Sequence, residues 1–358
     1  LTVAGLVISR GLITGRRREY HKNGRDKMEI EALRKNFIVV GENIHATRVL
    51  LRGGQSVTTT EGGQEAVRFQ GVDGETRYLP IPEEYRNTQE YQDGRVKHIK
   101  IAIQAAMSGR GPEAPPGLEY LQQKVRQQLD AGADFIDLNV DEVSSRPQDQ
   151  KAAMSWLVQT VRPICSVPLS IDSSNAETIR AGLEAGRGHK GNPLLNSASL
   201  ERKSALELAV EYRAKVVVTA AGESSMPKDD VERVANASRI VELALEKDIP
   251  LHDLYIDALV FPISVGSDYG NHYFEAVRKL REKFGPEIHI TGGLSNVSFG
   301  LPMRRLVNNV FLILATEAGA DSGIIDPAAG RVDQVLAMDR QSRSYQVAAD
   351  LLLGRDIG

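Results

Sequence analysis

The sequence of 358 residues contains one cysteine, few aromatic residues (5%) and no marked excess of either charge. A single cysteine, Cys165, excludes an intrachain disulfide framework and a zinc site built from several cysteines, so we expect a reducing, cytoplasmic setting. The 44 Lys and Arg nearly balance the 47 Asp and Glu, which argues against nucleic acid as a partner. No apolar run approaches the roughly 18 residues of a membrane span, so we expect no membrane association.

From residue 37 onward, short β-rich apolar runs alternate with longer amphipathic segments. This alternation predicts parallel strands joined by crossover helices. Eight candidate strands occur, at 37–41, 135–140, 168–172, 193–197, 215–220, 253–258, 287–292 and 322–327. Their number favours an α/β fold of the closed (β/α)8 TIM barrel type over an open doubly wound sheet. Helix boundaries support this prediction, for example the capping pattern Ser174-x-x-Glu177.

Two segments fall outside the regular alternation. A basic run near residues 15–22 precedes Met28, so we interpret residues 1–27 as a flexible N-terminal extension and 28–358 as the barrel domain. Residues 46–95 form a connection far longer than usual, in which Val72-Asp73-Gly74 predicts a hairpin. This insertion at one mouth of the barrel is either a functional lid or a flap that is decorative or oligomerising.

Polar residues stand where the predicted strands end, which is where the site of an α/β barrel lies. They are Glu42, Asn43, His45, Asp137, Asn139, Asp172, Asn196, Asp257 and Asn296. Any one of them could be a satisfied core group, but buried Asp and Asn need partners, and no matching Lys or Arg occupies the other strand ends. A flat neutral heterocycle with several N–H and C=O groups is the simplest partner. A divalent metal is the competing interpretation, but the amide-rich set without clustered His leads us to predict none.

The segments GENIH, GADFIDLNV, PLSIDSSN, PLLNSAS, LYIDALVFP and GGLSNVSFGLP follow one another in the chain. In this order they resemble the pterin-binding barrels of methyltetrahydrofolate:corrinoid methyltransferases, and the folate domain of cobalamin-dependent methionine synthase is similar. The resemblance covers about residues 36–353, apart from the insertion. It implies a dihydropteroate-synthase-like barrel, tetrahydrofolate or methyltetrahydrofolate as substrate, and a homodimer.

The resemblance also implies roles for individual residues. Asp172, Asn196 and Asp257 match positions that hydrogen-bond the pterin ring, and Asn296 matches a mobile Asn that reaches N5. Asp137 and Asn139 match a pair that lines the pocket, and Glu42 is a further candidate contact. We expect Asn296 and Asp257 to be the catalytic residues. The chain departs from the family pattern at two positions, with His45 in place of an Asn and Phe299 in place of a Gln found in some relatives.

The chemistry that the resemblance implies needs hydrogen bonding at N5. A methyl group on N5 is a poor electrophile, because the amine anion that leaves when the C–N bond breaks is very basic. A hydrogen bond to N5, or a proton delivered to it, lowers the barrier because its interaction with N5 strengthens as that bond breaks. No D-x-H-x-x-G motif for binding cobalamin occurs, so we expect a partner protein to carry the corrinoid and the 46–95 insertion to contribute to its docking. The direction of transfer stays open, and demethylation of a methyl donor is one possible setting.

Two functions are alternatives to methyl transfer. Dihydropteroate synthase uses a similar barrel, but its sequence reads similarly to N-V-T-P-D-S-F after the first strand and has a Lys after the seventh. At these two places this chain has N-I-H-A-T-R and L-S-N-V-S. The second is a non-catalytic pterin-binding subunit of a demethylase complex, against which Asn296 beside the complete set of polar residues argues.

Overall fold

The computed structural model describes residues 36–110 and 113–355, and the predicted extension at 1–27 lies outside them. In chain order the strands are β1 (Ile38–His45), β2 (Leu50–Leu51), β3 (Val57–Thr59), β4 (Glu65–Gln70), β5 (Thr76–Pro80), β6 (Arg95–Val96), β7 (Phe135–Asn139), β8 (Leu169–Asp172), β9 (Leu194–Ala198), β10 (Lys215–Thr219), β11 (Leu254–Asp257), β12 (His289–Thr291) and β13 (Ser322–Ile325). The α-helices are α1 (Glu83–Arg86), α2 (Gln89–Gln92), α3 (His98–Ser108), α4 (Ala114–Asp130), α5 (Pro147–Val161), α6 (Ala176–Ala185), α7 (Ala205–Tyr212), α8 (Asp230–Leu245), α9 (Tyr269–Phe284), α10 (Arg304–Ala318), α11 (Val332–Leu336) and α12 (Arg343–Leu352). Two 3-10 turns lie at Leu251–Asp253 and Leu294–Ser298.

Eight strands form one parallel sheet in the order β12-β11-β10-β9-β8-β7-β1-β13. An isolated parallel bridge between Gly293 and Ile324 brings the two ends of this sheet together, so the barrel is nearly closed. Each strand contains the core of one of the eight predicted runs, and the (β/α)8 expectation is confirmed. Of the helices that the structure describes, none has both the length and the apolar character to cross a membrane.

The barrel strands are buried on both faces, which explains their nearly continuous apolar sequences. An inner cluster fills the barrel, and its members come from different strands: Val40, Phe135, Leu194, Val217, Tyr255 and Ile324. A larger apolar cluster lies between the sheet and the surrounding helices. Polar residues near the carboxyl ends of the strands therefore stand at the one end of the inner core where a ligand can reach them.

Side-chain caps begin several of the helices. Asp229 accepts a hydrogen bond from the backbone N of Glu232 at 2.9 Å and starts α8. The predicted capping box at Ser174 is wrong by one residue, because the side chain of Asn175 accepts from the backbone N of Glu177 and starts α6. The helix itself lies where it was predicted.

The 46–95 segment contains the hairpin that its turn sequence predicts. Strands β4 and β5 pair antiparallel, with Gly74 at φ 81° in the connection, and β3 adds a third strand to this sheet. Phe69 packs edge-on against Tyr120 of α4, with the ring centroids 5.0 Å apart. The hairpin is thus anchored to the outside of the barrel beside α4, and its lid or docking role stays a prediction.

Candidate functional site

A cavity of about 730 Å³ opens at the carboxyl ends of the barrel strands. This volume lies in the range of sites for whole drug-sized ligands. The predicted residues that line it are Glu42, Asn43, His45, Asp137, Asp172, Asn196, Asp257 and Asn296. The topology therefore brings these side chains from five barrel strands and the turn after β12 to one site.

A charged pair between β1 and β7 lies at the bottom of the cavity. His45 Nε2 is 2.8 Å from Asp137 Oδ2, and Asn196 Nδ2 donates to the same oxygen at 3.4 Å. Burial opposes the charge on His45, but the hydrogen bond and charge of Asp137, with smaller contributions from Asp172 and Glu42, raise its pKa to about 9. His45 is therefore an imidazolium near neutral pH. Asp137 Oδ1 is buried without a hydrogen-bond partner among the described residues, which leaves it free to accept from a ligand.

Asp172 stands beside this pair at the end of β8. Burial and the charge of Asp137 raise its pKa to about 7, against the charge of His45 and the hydrogen bond of Asn139. Asn139 Nδ2 donates to Asp172 Oδ2 at 2.9 Å, and Asn139 Oδ1 accepts from the backbone N of Asp141 at 3.0 Å. Asn139 is not among the residues that line the cavity, because both ends of its carboxamide are held in the wall, and its role as a ligand contact stays a prediction.

Asp257 is held at the end of β11 by a constrained loop. Its Oδ1 accepts from the backbone N of Leu259 at 2.8 Å, and Leu259 adopts φ 64°, which is rare for a branched side chain. Arg233 of α8 is fully buried behind this loop and donates to the carbonyl of Ala258 at 3.0 Å. Burial raises the pKa of Asp257 to about 6, although the N–H of Leu259 and the charge of Arg233 lower it.

Asn296 lies in the 3-10 turn that follows β12, and its carboxamide makes no hydrogen bond with the described residues while it lines the cavity. A Cβ at Gly293 would lie 2.9 Å from Asn296 Nδ2, so this glycine gives the carboxamide its room. Ser295 Oγ donates to Glu42 Oε1 at 2.9 Å. Glu42 therefore connects β1 to the turn that carries Asn296.

Four basic residues line the same cavity: Arg48, Lys124, Arg304 and Arg305. The expectation that no matching cations accompany the polar strand ends holds for the strands but is wrong for the cavity. Arg48 bonds Glu42 Oε1 at 2.9 Å and Asp326 Oδ2 at 3.1 Å, whereas Lys124 and Arg305 make no ion pair with described residues. These cations come from a loop and from helices, so a search confined to strand ends missed them. The consecutive pair at 304–305 just after Pro302 was the available signal.

His45, Asp137 and Asp172 are the described residues that could hold a metal ion. One ligand atom from each lies within 4.8 Å of the others. An ion there would have to replace the hydrogen bond from His45 to Asp137 and would occupy the carboxylates at the bottom of the cavity. The prediction of no metal stays a prediction.

The sequence pattern of the family described as "Pterin binding enzyme" matches residues 118–326, more than half of the chain. The chain therefore belongs to the pterin binding enzyme family. It is 28% identical over 265 residues to the methylcorrinoid:tetrahydrofolate methyltransferase of Eubacterium limosum, covering 69% of this chain and 95% of the relative. It is 30% identical over 247 residues to the methionine synthase of Mycobacterium tuberculosis, which covers 64% of this chain but only 20% of that longer protein.

Solved structures support the fold. The dihydropteroate synthase of Xanthomonas albilineans has a TM-score of 0.51 at 20% identity, covering 63% of this chain and 86% of that one. The enzyme of the same name from Stenotrophomonas maltophilia also has a TM-score of 0.51, at 17% identity, covering 62% and 86%. At these identities the likeness concerns the barrel alone.

Proposed function

We propose that this protein transfers a methyl group between N5 of tetrahydrofolate and the cobalt of a corrinoid carried by a partner protein. The observation that supports this most directly is the unengaged carboxamide of Asn296 beside Asp172, Asn196 and Asp257 in one cavity. Membership of the pterin binding enzyme family and similarity to almost the whole length of the Eubacterium limosum methyltransferase point the same way.

The polar residues at the bottom of the cavity suit the pyrimidine side of a pterin, which carries N–H donors and a carbonyl acceptor. The carboxylates of Asp172 and Asp257 accept from N–H groups, and the amide of Asn196 both donates and accepts. Asp137 Oδ1 adds one buried acceptor without a protein partner. His45 balances one of these negative charges, so the cavity binds a neutral ring without burying several unpaired carboxylates.

Asn296 is the residue that we assign to the reacting atom. When the bond between N5 and the methyl carbon breaks, its electron pair stays on N5, and Asn296 Nδ2–H donates to that nitrogen. Such a hydrogen bond strengthens as charge develops, so it stabilises the transition state more than the bound substrate. Asp257 holds the ring so that the methyl group faces the open end of the barrel, where the corrinoid would supply the methyl acceptor or donor.

The name of the Eubacterium limosum relative supports transfer from a methylcorrinoid onto tetrahydrofolate, as in a demethylation. One site serves both directions by microscopic reversibility, so both should be measured. The homodimer and the cytoplasmic location remain predictions from the resemblance and the composition. Deleting the 65–80 hairpin should raise the KM of the enzyme for the corrinoid protein without changing its affinity for the pterin.

The deciding experiment is a spectrophotometric assay of the purified full chain with methyltetrahydrofolate and free cob(I)alamin, followed by methylcobalamin and tetrahydrofolate. We expect cobalamin spectra to change with enzyme in at least one direction. Tetrahydrofolate binding without transfer in either direction, including with a corrinoid protein, would favour the non-catalytic subunit. Condensation of a pterin pyrophosphate with p-aminobenzoate would instead identify a dihydropteroate synthase.

A further inference from the structure

The unpaired cations of the cavity come from different elements than its strand-end carboxylates. The carboxylates of Asp137, Asp172 and Asp257 come from strand ends, whereas the cations come from α4 and from the start of α10. Arg48 is neutralised by its two carboxylate partners, Glu42 and Asp326. This leaves three cations without a carboxylate partner among the described residues: Lys124, Arg304 and Arg305.

These three cations differ in how they are held. Lys124 is half-buried and contacts Gln127 Oε1 at 3.2 Å and the ring of Tyr120 at 5.2 Å. Arg304 bonds Ser298 Oγ at 3.0 Å and the carbonyl of Ser295 at 3.1 Å, and its guanidinium lies 4.5 Å from the ring centroid of Phe299. Arg305 is exposed and makes no hydrogen bond to the described residues. Guanidinium and ammonium groups that line a cavity without a carboxylate partner are suited to binding the carboxylates of a ligand.

Phe299 also lines the cavity, directly after the turn that carries Asn296, and it is 48% exposed. An exposed aromatic ring at a cavity is a surface on which a flat ring can pack. A second groove continues past Arg305, lined also by Ser295, Asn308 and Asp326. In addition to the polar strand ends, the cavity thus offers an aromatic ring and three cations.

We propose that Lys124, Arg304 and Arg305 form a subsite for the carboxylates of the glutamyl tail of the folate, with Phe299 against its p-aminobenzoyl ring. The inference rests on the proposed function and extends it, because it makes folates with several glutamates the preferred substrate class. Each added glutamate brings one more carboxylate toward three cations that form no ion pair with the described residues.

The test compares the Kd values of three ligands: 6-methyltetrahydropterin, which has no tail, tetrahydrofolate with one glutamate, and tetrahydrofolate with three. In the wild type, affinity should rise in this order, and the advantage of the triglutamate should shrink with added salt. Exposed ion pairs contribute about 0.2–1 kcal/mol each, so Arg305→Gln should weaken the triglutamate about 1.5- to 5-fold. The double variant Lys124→Gln/Arg305→Gln should weaken it about tenfold, since Lys124 is less exposed.

A charge reversal makes the prediction sharper. Arg305→Glu should weaken the triglutamate more than the monoglutamate, while the affinity for 6-methyltetrahydropterin changes less than twofold. Arg126→Gln is the matched control, because Arg126 is an exposed arginine on the same helix as Lys124 that does not line the cavity. It should leave all three affinities unchanged.

Several outcomes would overturn the inference. Equal losses for all three ligands would mean that the cations only maintain the structure. If the variants kept the wild-type ratios between the three Kd values but had a raised KM for the corrinoid protein, the cations would be assigned to protein docking instead. If the wild type bound the tailless pterin and both folates equally, the subsite would be absent while the proposed function stood. If it bound none of them, the proposed function would fail and the subsite with it.

Discussion

The strand ends and the segments beyond them contribute to the same cavity in different ways. The strand ends supply acids and amides fixed by pairing, such as Asp172 held by Asn139 and Asp137 held by His45. The turns and helices beyond them supply side chains such as those of Asn296 and Arg305, which make no hydrogen bond to the residues that the structure describes. The rigid strands are therefore suited to holding a ring, whereas the less constrained segments are suited to acting on the rest of the substrate.

The largest effect should come from a residue beyond the strands. Asn296→Ala should lower kcat about 100- to 1000-fold, since loss of one donor to a developing charge has this effect in other enzymes. The affinity for tetrahydrofolate should change little, because the strand ends still hold the ring. Stopped-flow transfer rates and Kd values measure the two quantities. Asn192→Ala is the matched control, because this exposed carboxamide before β9 does not line the cavity, and it should keep its rate.

His45 offers a test of the pairing at the strand ends. Its pKa is raised from 6.5 to about 9 in the fold, so the pair with Asp137 stabilises the protein fully below about pH 6.5, and this contribution is lost as pH rises through 9. The shift corresponds to at most about 3 kcal/mol. In urea denaturation, His45→Asn should therefore lower the free energy of unfolding at pH 6 but hardly at pH 10. His252→Asn should show no such dependence, and a constant loss at both pH values would exclude the ion pair.

Asp172→Asn should weaken tetrahydrofolate about 10- to 100-fold, because a hydrogen bond to a charged acceptor contributes about 1.5–3 kcal/mol. The free energy of unfolding at pH 8 should stay the same or rise. The reason is that burial raises the pKa of Asp172 from 3.8 to about 7, so ionisation destabilises the fold as pH rises through that interval. Isothermal titration and thermal melting separate the two effects. A variant that binds as well as the wild type would remove Asp172 from the site.

The smallest effect links the two regions. Gly293→Ala should place a methyl group 2.9 Å from Asn296 Nδ2 and displace the carboxamide, lowering kcat about 3- to 10-fold with little change in Kd. Gly53→Ala is the control, since a Cβ there meets nothing within 4 Å. An unchanged kcat in the Gly293 variant would show that the transfer does not depend on where Asn296 sits.

The sequence predicted the strand-end residues well because of how parallel strands are arranged. Strands that run in one direction around a barrel end at one mouth, so Asp137, Asp172, Asn196 and Asp257 had to converge once the strands were recognised. The hairpin in the insertion was equally readable, because Gly74 marks a local turn. Both predictions depend only on short-range pattern and connection order.

What escaped prediction depends on tertiary placement. Lys124 lies in the middle of α4, and nothing in its neighbours says that this turn of the helix reaches the cavity. Asn139 follows Asp137 at the spacing that puts both on one face of β7, yet its carboxamide is taken up by Asp172 and the backbone of Asp141. Packing across the whole barrel determines the tilt of a helix and the hydrogen-bond partners of loop residues. A local sequence pattern carries no information about that packing.

The seam between β12 and β13 has a dynamic consequence. In the described part of the chain these two strands are joined by the single bridge between Gly293 and Ile324 and by backbone hydrogen bonds beside it, whereas the other neighbouring barrel strands share at least three residue pairs. Local opening should therefore start there at a lower free energy than between other barrel strands. Asn296 is three residues beyond this bridge, so local opening between β12 and β13 would move its carboxamide toward and away from the substrate while the rest of the barrel stays folded. Among the barrel strands, backbone amide hydrogen exchange should be fastest in β12 and β13.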